Sequence, residues 1–166
     1  MAKKWGGCDF NQLKSLQKNL ERLQGNDFEA FCEEVAKELA ARLLAKVTKR
    51  TPVGQYDSAS GKMGGTLRRG WTAKTEEDAA SGGVPGAKAY ADSLNVLKVG
   101  DVYQIEIINP VQYASYVEYG HRTRNHKGWV QGRFMLTISA NELESQAPKL
   151  LERKLKKYLG EFFNGE

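Results

Sequence analysis

The stretch Leu94-Asn95-Val96-Leu97-Lys98-Val99-Gly100-Asp101-Val102-Tyr103-Gln104-Ile105-Glu106-Ile107-Ile108-Asn109 decides the fold class. Two apolar runs flank Gly100-Asp101, a dipeptide suited to a tight turn. The second run alternates, with Val102, Gln104, Glu106 and Ile108 on one face and Tyr103, Ile105 and Ile107 on the other. This is the pattern of an antiparallel hairpin. Residues 66–74 alternate weakly around Leu67 and Trp71 and read as a third strand of the same sheet.

Upstream the period changes from two to between three and four. Phe28, Phe31, Val35, Leu39 and Leu43 form one apolar helical stripe, with Asp27 as the expected N-cap and Glu29 in the first turn, where the helix dipole favours acid. Lys46, Lys49 and Arg50 suit a helix C-terminus, and Thr51-Pro52 stops the helix because proline disfavours the αR region in its predecessor. Before Gly25-Asn26, an amphipathic stripe of Phe10, Leu13, Leu16, Leu20 and Leu23 predicts an N-terminal helical extension over residues 1–26. Residues 53–65, rich in glycine and small polar residues, read as a flexible surface loop, and so does the acidic, Gly-rich stretch 76–86.

Downstream of the hairpin, Tyr113, Tyr116 and Val117 predict a short helix with Pro110 in its first turn, stopped by Gly120. A charged loop over residues 121–128 follows, then helical segments over 134–143 and 150–163. Pro148 either begins the second segment or kinks one continuous helix. The expected architecture is α+β: a long N-terminal helix packed on a small antiparallel sheet, a short helix and a C-terminal helix, making residues 27–166 one domain. The long helix needs the sheet to cover its apolar face.

The composition, 40% apolar and 27% charged over 166 residues, suits a globular chain, and no run approaches the ~20 apolar residues of a membrane span. The N-terminus lacks a secretory signal, so the expectation is a protein that stays in the cytoplasm where it is made. Cys8 and Cys32 fit neither a disulfide framework nor a zinc pattern and are expected to be reduced. The net charge of +5 raises nucleic acid or an acidic protein as partners without selecting between them.

Little in the sequence suggests catalysis. His121 and His126 stand among Arg122, Arg124 and Lys127, with only Glu118 as a local carboxylate, short of the three or four ligands a zinc site needs. The Gly-rich pieces 61–66 and 82–86 do not match a phosphate-binding loop. Glu33-Glu34 and Glu76-Glu77-Asp78 read as solvated charge. The expectation is no cofactor, no metal and no enzyme. Arg122, Arg124, Lys127 and Arg133, with Tyr116, Tyr119 and Trp129, could track a nucleic-acid strand, although an exposed loop or a protein-binding edge explains them as well.

Thr51-Pro52-Val53-Gly54, Gly65-Thr66-Leu67-Arg68-Arg69-Gly70-Trp71 and the run from Asn109 through Tyr113-Ala114-Ser115-Tyr116-Val117-Glu118-Tyr119-Gly120 to Arg122 resemble the tail-completion or head–tail joining family of tailed bacteriophages. Trp129 to Phe134 is similar to a further segment of that family, and the likeness spans residues 28–159. One departure is the longer passage between Gly54 and Gly65. The resemblance implies a non-catalytic virion protein, made in the host cytoplasm, that forms a ring, often sixfold, between the head connector and the tail tube or tail terminator. Such rings close through heterologous head-to-tail contacts. Tyr119, His121, Arg122, Trp129 and Arg133 are the candidate interface residues, since aromatic and Arg side chains anchor interfaces. The alternative is a small basic nucleic-acid-binding module.

Overall fold

The computed structural model describes Gln17, Lys18, Leu20, Glu21 and residues 25–61 and 63–163. The four isolated positions are helical, and Gln17 donates to Glu21 across one turn at 3.0 Å. Apart from Gly25 and Asn26, which cap and begin the next helix, the rest of the extension expected over residues 1–26, with Cys8, lies outside the described residues. The elements are α1 (Asn26–Arg50), α2 (Thr66–Gly70), α3 (Glu76–Ser81), α4 (Ala87–Ser93), β1 (Leu97–Val99), β2 (Val102–Gln104), α5 (Ala114–Tyr119), β3 (Gly120–Arg122), β4 (Trp129–Gln131) and α6 (Met135–Phe163). The fold is α+β, with β1–β2 and β3–β4 as two separate antiparallel sheets.

α1 ends at Arg50 as the Thr51-Pro52 pair dictates, and Thr51 is extended. Its start differs from the sequence reading. Gly25 occupies the cap position with no side-chain cap, and Asp27 lies inside the first turn beside Glu29. Its buried face is also rotated from the expected stripe: Val35, Ala40, Leu44 and Val47 are buried, while Leu39 and Leu43 are half-buried. The reason is that α1 is flanked mainly by helices, α4 on one side and α6 on the other, with β2 and α2 touching it less. A helix gripped on two flanks buries the residues facing the seam between them.

The α1–α6 pair is antiparallel and ordered by charge and aromatic contacts. Phe31 stacks on Tyr158 with ring centroids 4.3 Å apart, Lys154 bridges Glu34 at 2.9 Å and also Glu38, and Arg50 and Lys46 reach Glu142 at 2.5 and 3.2 Å. α6 runs unbroken through Pro148, which settles the open choice in favour of one continuous helix. The Lys154 hydrogen bond, then that of Arg42, holds the Glu38 carboxyl below the ordinary glutamate range, and Lys154 is raised chiefly by Glu38. Because Glu38 is depressed in the folded chain, its contribution is present above the unfolded pKa and is lost as pH falls through the folded one. Glu38→Gln is therefore expected to flatten the acid limb of a stability–pH curve while costing less than about 1 kcal/mol at neutral pH. Urea unfolding at a series of pH values checks this, and an unchanged acid limb would remove Glu38 from it.

Two segments read as strand or loop are helices, and a third helix follows them at residues 87–93. Residues 66–70 form α2, because Leu67, Gly70 and Trp71 sit at i, i+3 and i+4 and all face the core. Residues 76–81 form α3, set by a capping box between Thr75 and Asp78 and ended by Gly82. Ala87–Ser93 forms α4, whose Tyr90 and Ala91 are buried against α1. The 53–65 segment is an exposed loop with one 3-10 turn at Ser58–Ser60.

The β1–β2 hairpin turns at Gly100-Asp101, with Val99 opposite Val102 and Leu97 opposite Gln104. Regular pairing stops at Gln104, sooner than expected, but alternation persists: Tyr103, Ile105 and Ile107 are half-buried and residues 102, 104, 106 and 108 are exposed. The inner face meets α1 through the Lys98–Glu29 ion pair. The main core joins Ala40, Leu44 and Val47 of α1 to Leu67, Trp71, Ala79, Tyr90, Val111 and Met135.

Candidate functional site

The motifs singled out in the sequence meet in space, and their meeting is structural. Thr51 is fully buried; its hydroxyl donates to the Val47 carbonyl at 2.7 Å and accepts the Trp71 indole N–H at 2.7 Å. The Arg68 guanidinium donates twice to the Thr51 carbonyl, at 2.9 and 2.7 Å. The Thr-Pro turn and the Leu-Arg helix are thus one lock at the C-terminus of α1. Asn109 closes the next layer: its amide donates to the Leu67 carbonyl at 2.9 Å and its side-chain oxygen accepts the Val111 N–H at 3.2 Å. A Cβ at Gly70 would come within 2.9 Å of Val111 Cγ2, so glycine is what lets this segment dock. With Asn109 turning the chain, α5 begins at Ala114 and leaves Pro110 outside it.

Glu118 is the residue that sequence reasoning undervalued. It is 5% exposed, and its carboxylate accepts the Leu136 and Thr137 backbone N–H groups, each at 2.9 Å, and the Thr137 hydroxyl at 2.8 Å. A buried acid on α5 therefore caps the N-terminus of α6, satisfying two orphan amides and complementing the dipole. The backbone doubles the link, with Arg133 and Phe134 N–H donating to the Val117 and Glu118 carbonyls at 2.8 and 3.0 Å. Phe134 turns the chain into α6 at φ 49°, a left-handed conformation that these bonds stabilise.

From this anchor projects the β3–β4 ribbon, whose strands take in His121 and Arg122 from the segment 121–128 read as a charged loop and continue past it at Trp129–Gln131. Its short strands fall in the stretch where like charges and glycine hid any alternation. Gly120 has φ 88°, and a Cβ there would approach the Trp129 indole nitrogen to 2.9 Å and the Gly132 nitrogen to 2.8 Å, so α5 can turn into β3 at this position only through glycine. The pairing sets Arg122 opposite Trp129 and His121 opposite Val130, and the Tyr116 and His121 rings lie 5.8 Å apart. The connecting loop is built: Thr123 Oγ1 donates to Asn125 at 2.6 Å and accepts the Gly128 N–H at 2.9 Å.

All five candidate interface residues belong to this ribbon or its roots, and all are exposed. Tyr119 is 61% and Trp129 58% exposed, so Trp129 is not part of the protomer core. None of the ion pairs among the described residues involves Arg122, Arg124, Lys127 or Arg133. Among the described residues no three His, Cys, Asp or Glu side chains converge as metal ligands, and no helix is long and apolar enough to cross a membrane. Burial pushes the Cys32 thiol up, away from the reactive thiolate.

The chain is thus a small α+β unit whose motifs build scaffold while aromatic and basic side chains stand exposed at its edge. Residues 14–120, more than half of the chain, match the HK97-gp10-like family, described as "Bacteriophage HK97-gp10, putative tail-component". The chain belongs to this family, and its role is that of a structural phage protein. The matched range ends at Gly120, the first residue of the ribbon. No curated protein and no solved structure matches the chain.

Proposed function

We propose that the chain is a neck or tail-completion protein whose copies close into a ring joining the head connector to the tail tube or tail terminator. The β3–β4 ribbon carries this reading. Its Tyr119, Trp129 and Val130 are large apolar side chains in solvent, next to Arg122, Arg124, Lys127 and Arg133, which enter no ion pair among the described residues. Aromatic and Arg side chains grouped on one projecting element are what interface anchors look like before the partner arrives. In this role Tyr119, His121, Arg122, Trp129 and Arg133 bind neighbours and the chain carries no catalytic residue or cofactor. Membership of a phage tail family supports a place in the virion.

Electron microscopy of particles from the parent phage or induced prophage lacking this gene tests the reading. The expected result is DNA-filled heads accumulating beside unattached or abnormal tails. Intact infectious virions would reject it. The same exposed cations favour a second reading, a nucleic-acid-binding surface, for which retardation of DNA that weakens steeply with salt is the signature. No binding at low salt ends that reading.

A further inference from the structure

We infer that the β3–β4 ribbon of one copy seats on the outward face of the β1–β2 hairpin of the next copy. The inference rests on the ring reading above and supplies its missing half. A ring that closes by rotation needs two different patches on each protomer, complementary to each other and facing in different directions.

The hairpin is the second patch. Residues alternate across a strand, so with Lys98 and Tyr103 turned to α1, Leu97, Val99, Val102 and Gln104 share the outward face. Leu97 and Val99 are 61% and 62% exposed, and Val102 and Ile108 are exposed with them. Tyr103, Ile105 and Ile107 turn inward and are half-buried, while Leu97, Val99, Val102 and Ile108 are left uncovered on the outward side. An apolar cluster of this kind marks an interaction surface.

Charge selects the occupant. Lys98, the basic residue of the strands, is engaged by Glu29, which leaves Asp101 at the turn and Glu106 on the outward face as the hairpin's charges that form no ion pair among the described residues. The ribbon presents the converse: Trp129, Val130 and Tyr119 for apolar contact, with the exposed Arg122, Arg124 and Lys127 beside them, which form no ion pair among the described residues. Position agrees. The hairpin is tied to Glu29 at the start of α1, while the ribbon is rooted where Ser139 of α6 meets Arg50 at the end of α1, at 3.3 Å. Glu29 and Arg50 are 21 residues apart, about 30 Å along a helix. Two unlike, complementary patches at opposite ends of the long helix suit a head-to-tail contact between copies of this chain.

Complementation of the gene-deleted phage with charge-reversed chains tests the pairing. Ribbon-reversed R122E/R124E and hairpin-reversed D101K/E106K alter exposed side chains only, and unchanged thermal unfolding of each confirms the fold. Each alone is expected to lower the infectious titre more than about tenfold, because like charges then face each other in every interface. Co-expression of the two is expected to restore titre, since alternating copies again set opposite charges together, and so is one chain carrying all four reversals. Full titre with either variant alone overturns the inference. Loss of titre that neither co-expression nor the fourfold chain rescues also overturns it, showing that the ribbon meets another protein or DNA while the need for the chain stands. A deleted phage that needs no complementation sinks the ring reading itself.

Discussion

Glu118→Ala is expected to lower stability by about 3–4 kcal/mol and the thermal midpoint by roughly 10 °C. Three effects contribute, and their sizes decide which leads. Loss of an ordinary N-cap costs about 1 kcal/mol, and removal of an acid from a helix N-terminus about 0.3–1 kcal/mol. The larger part is the desolvation left behind, because the Leu136 and Thr137 amides and the Thr137 hydroxyl lose the one carboxylate they share. An unsatisfied buried polar group costs about 1–3 kcal/mol. Glu118→Gln separates charge from geometry: an amide of equal size keeps an oxygen acceptor but turns an NH2 toward donors, so about half the loss is expected. Hydrogen exchange should show the Leu136 and Thr137 amides opening before the α1 core in the Ala variant. A loss below 1 kcal/mol would mean that the backbone bonds from Arg133 and Phe134 hold the start of α6 unaided.

Glu118 also shows where sequence reading stops. Its motif, Tyr116-Val117-Glu118-Tyr119-Gly120, was legible as a short helix ended by glycine, and that is how it folds. The partner of its carboxylate lies 18 residues downstream, and no local period reports such a contact. The same limit separates what was readable from what was not in the fold. The end of α1, the Gly100-Asp101 turn and the α+β class follow from local chemistry: a proline, a turn dipeptide, a change of period. The rotated face of α1 follows from which elements flank it, and Leu39 and Leu43 are half-buried only because α4 and α6 arrive on two sides. α3 is a different case. Thr75-Glu76-Glu77-Asp78 is a local capping signal that the eye passes over for its acidic, Gly-rich surroundings.

The candidate interface was legible by residue type and not by shape. Tyr119, His121, Arg122, Trp129 and Arg133 stand out as aromatic and basic, and the structure places them together and exposed. That they form a two-stranded ribbon depends on Gly120 and Gly132 letting two backbones pass closer than any side chain allows. The hairpin's outer face was visible as one side of an alternating run, Val102, Gln104, Glu106 and Ile108, but which side faces α1 is fixed by Lys98 and Tyr103, and only tertiary structure says so.

Trp71→Ala is expected to cost about 3–5 kcal/mol, the range for emptying a large aromatic site in a packed core. Trp71 is 4% exposed, packed within the main core, and its indole N–H closes the lock on Thr51. Volume and hydrogen bond are separable here. Thr51→Val keeps the shape, keeps the carbonyl that Arg68 grips, and removes only the hydroxyl, so the indole N–H loses its acceptor at a cost of about 1–3 kcal/mol. If packing dominates, Thr51→Val will fall well short of Trp71→Ala in chemical denaturation, and Trp71→Ala in the Thr51→Val background will cost less than in the wild type, because the orphaned donor leaves with the ring. Equal losses from the two single variants would assign the lock to hydrogen bonding instead. In either case the unfolding rate should rise. The Thr-Pro turn, α2 and the Asn109 segment converge on this point, joining the end of α1 to the chain that leads through Glu118 into the ribbon. A protomer loosened at Trp71 is therefore expected to lose assembly with an intact interface sequence, which distinguishes a scaffold residue from Trp129, whose truncation should spare stability.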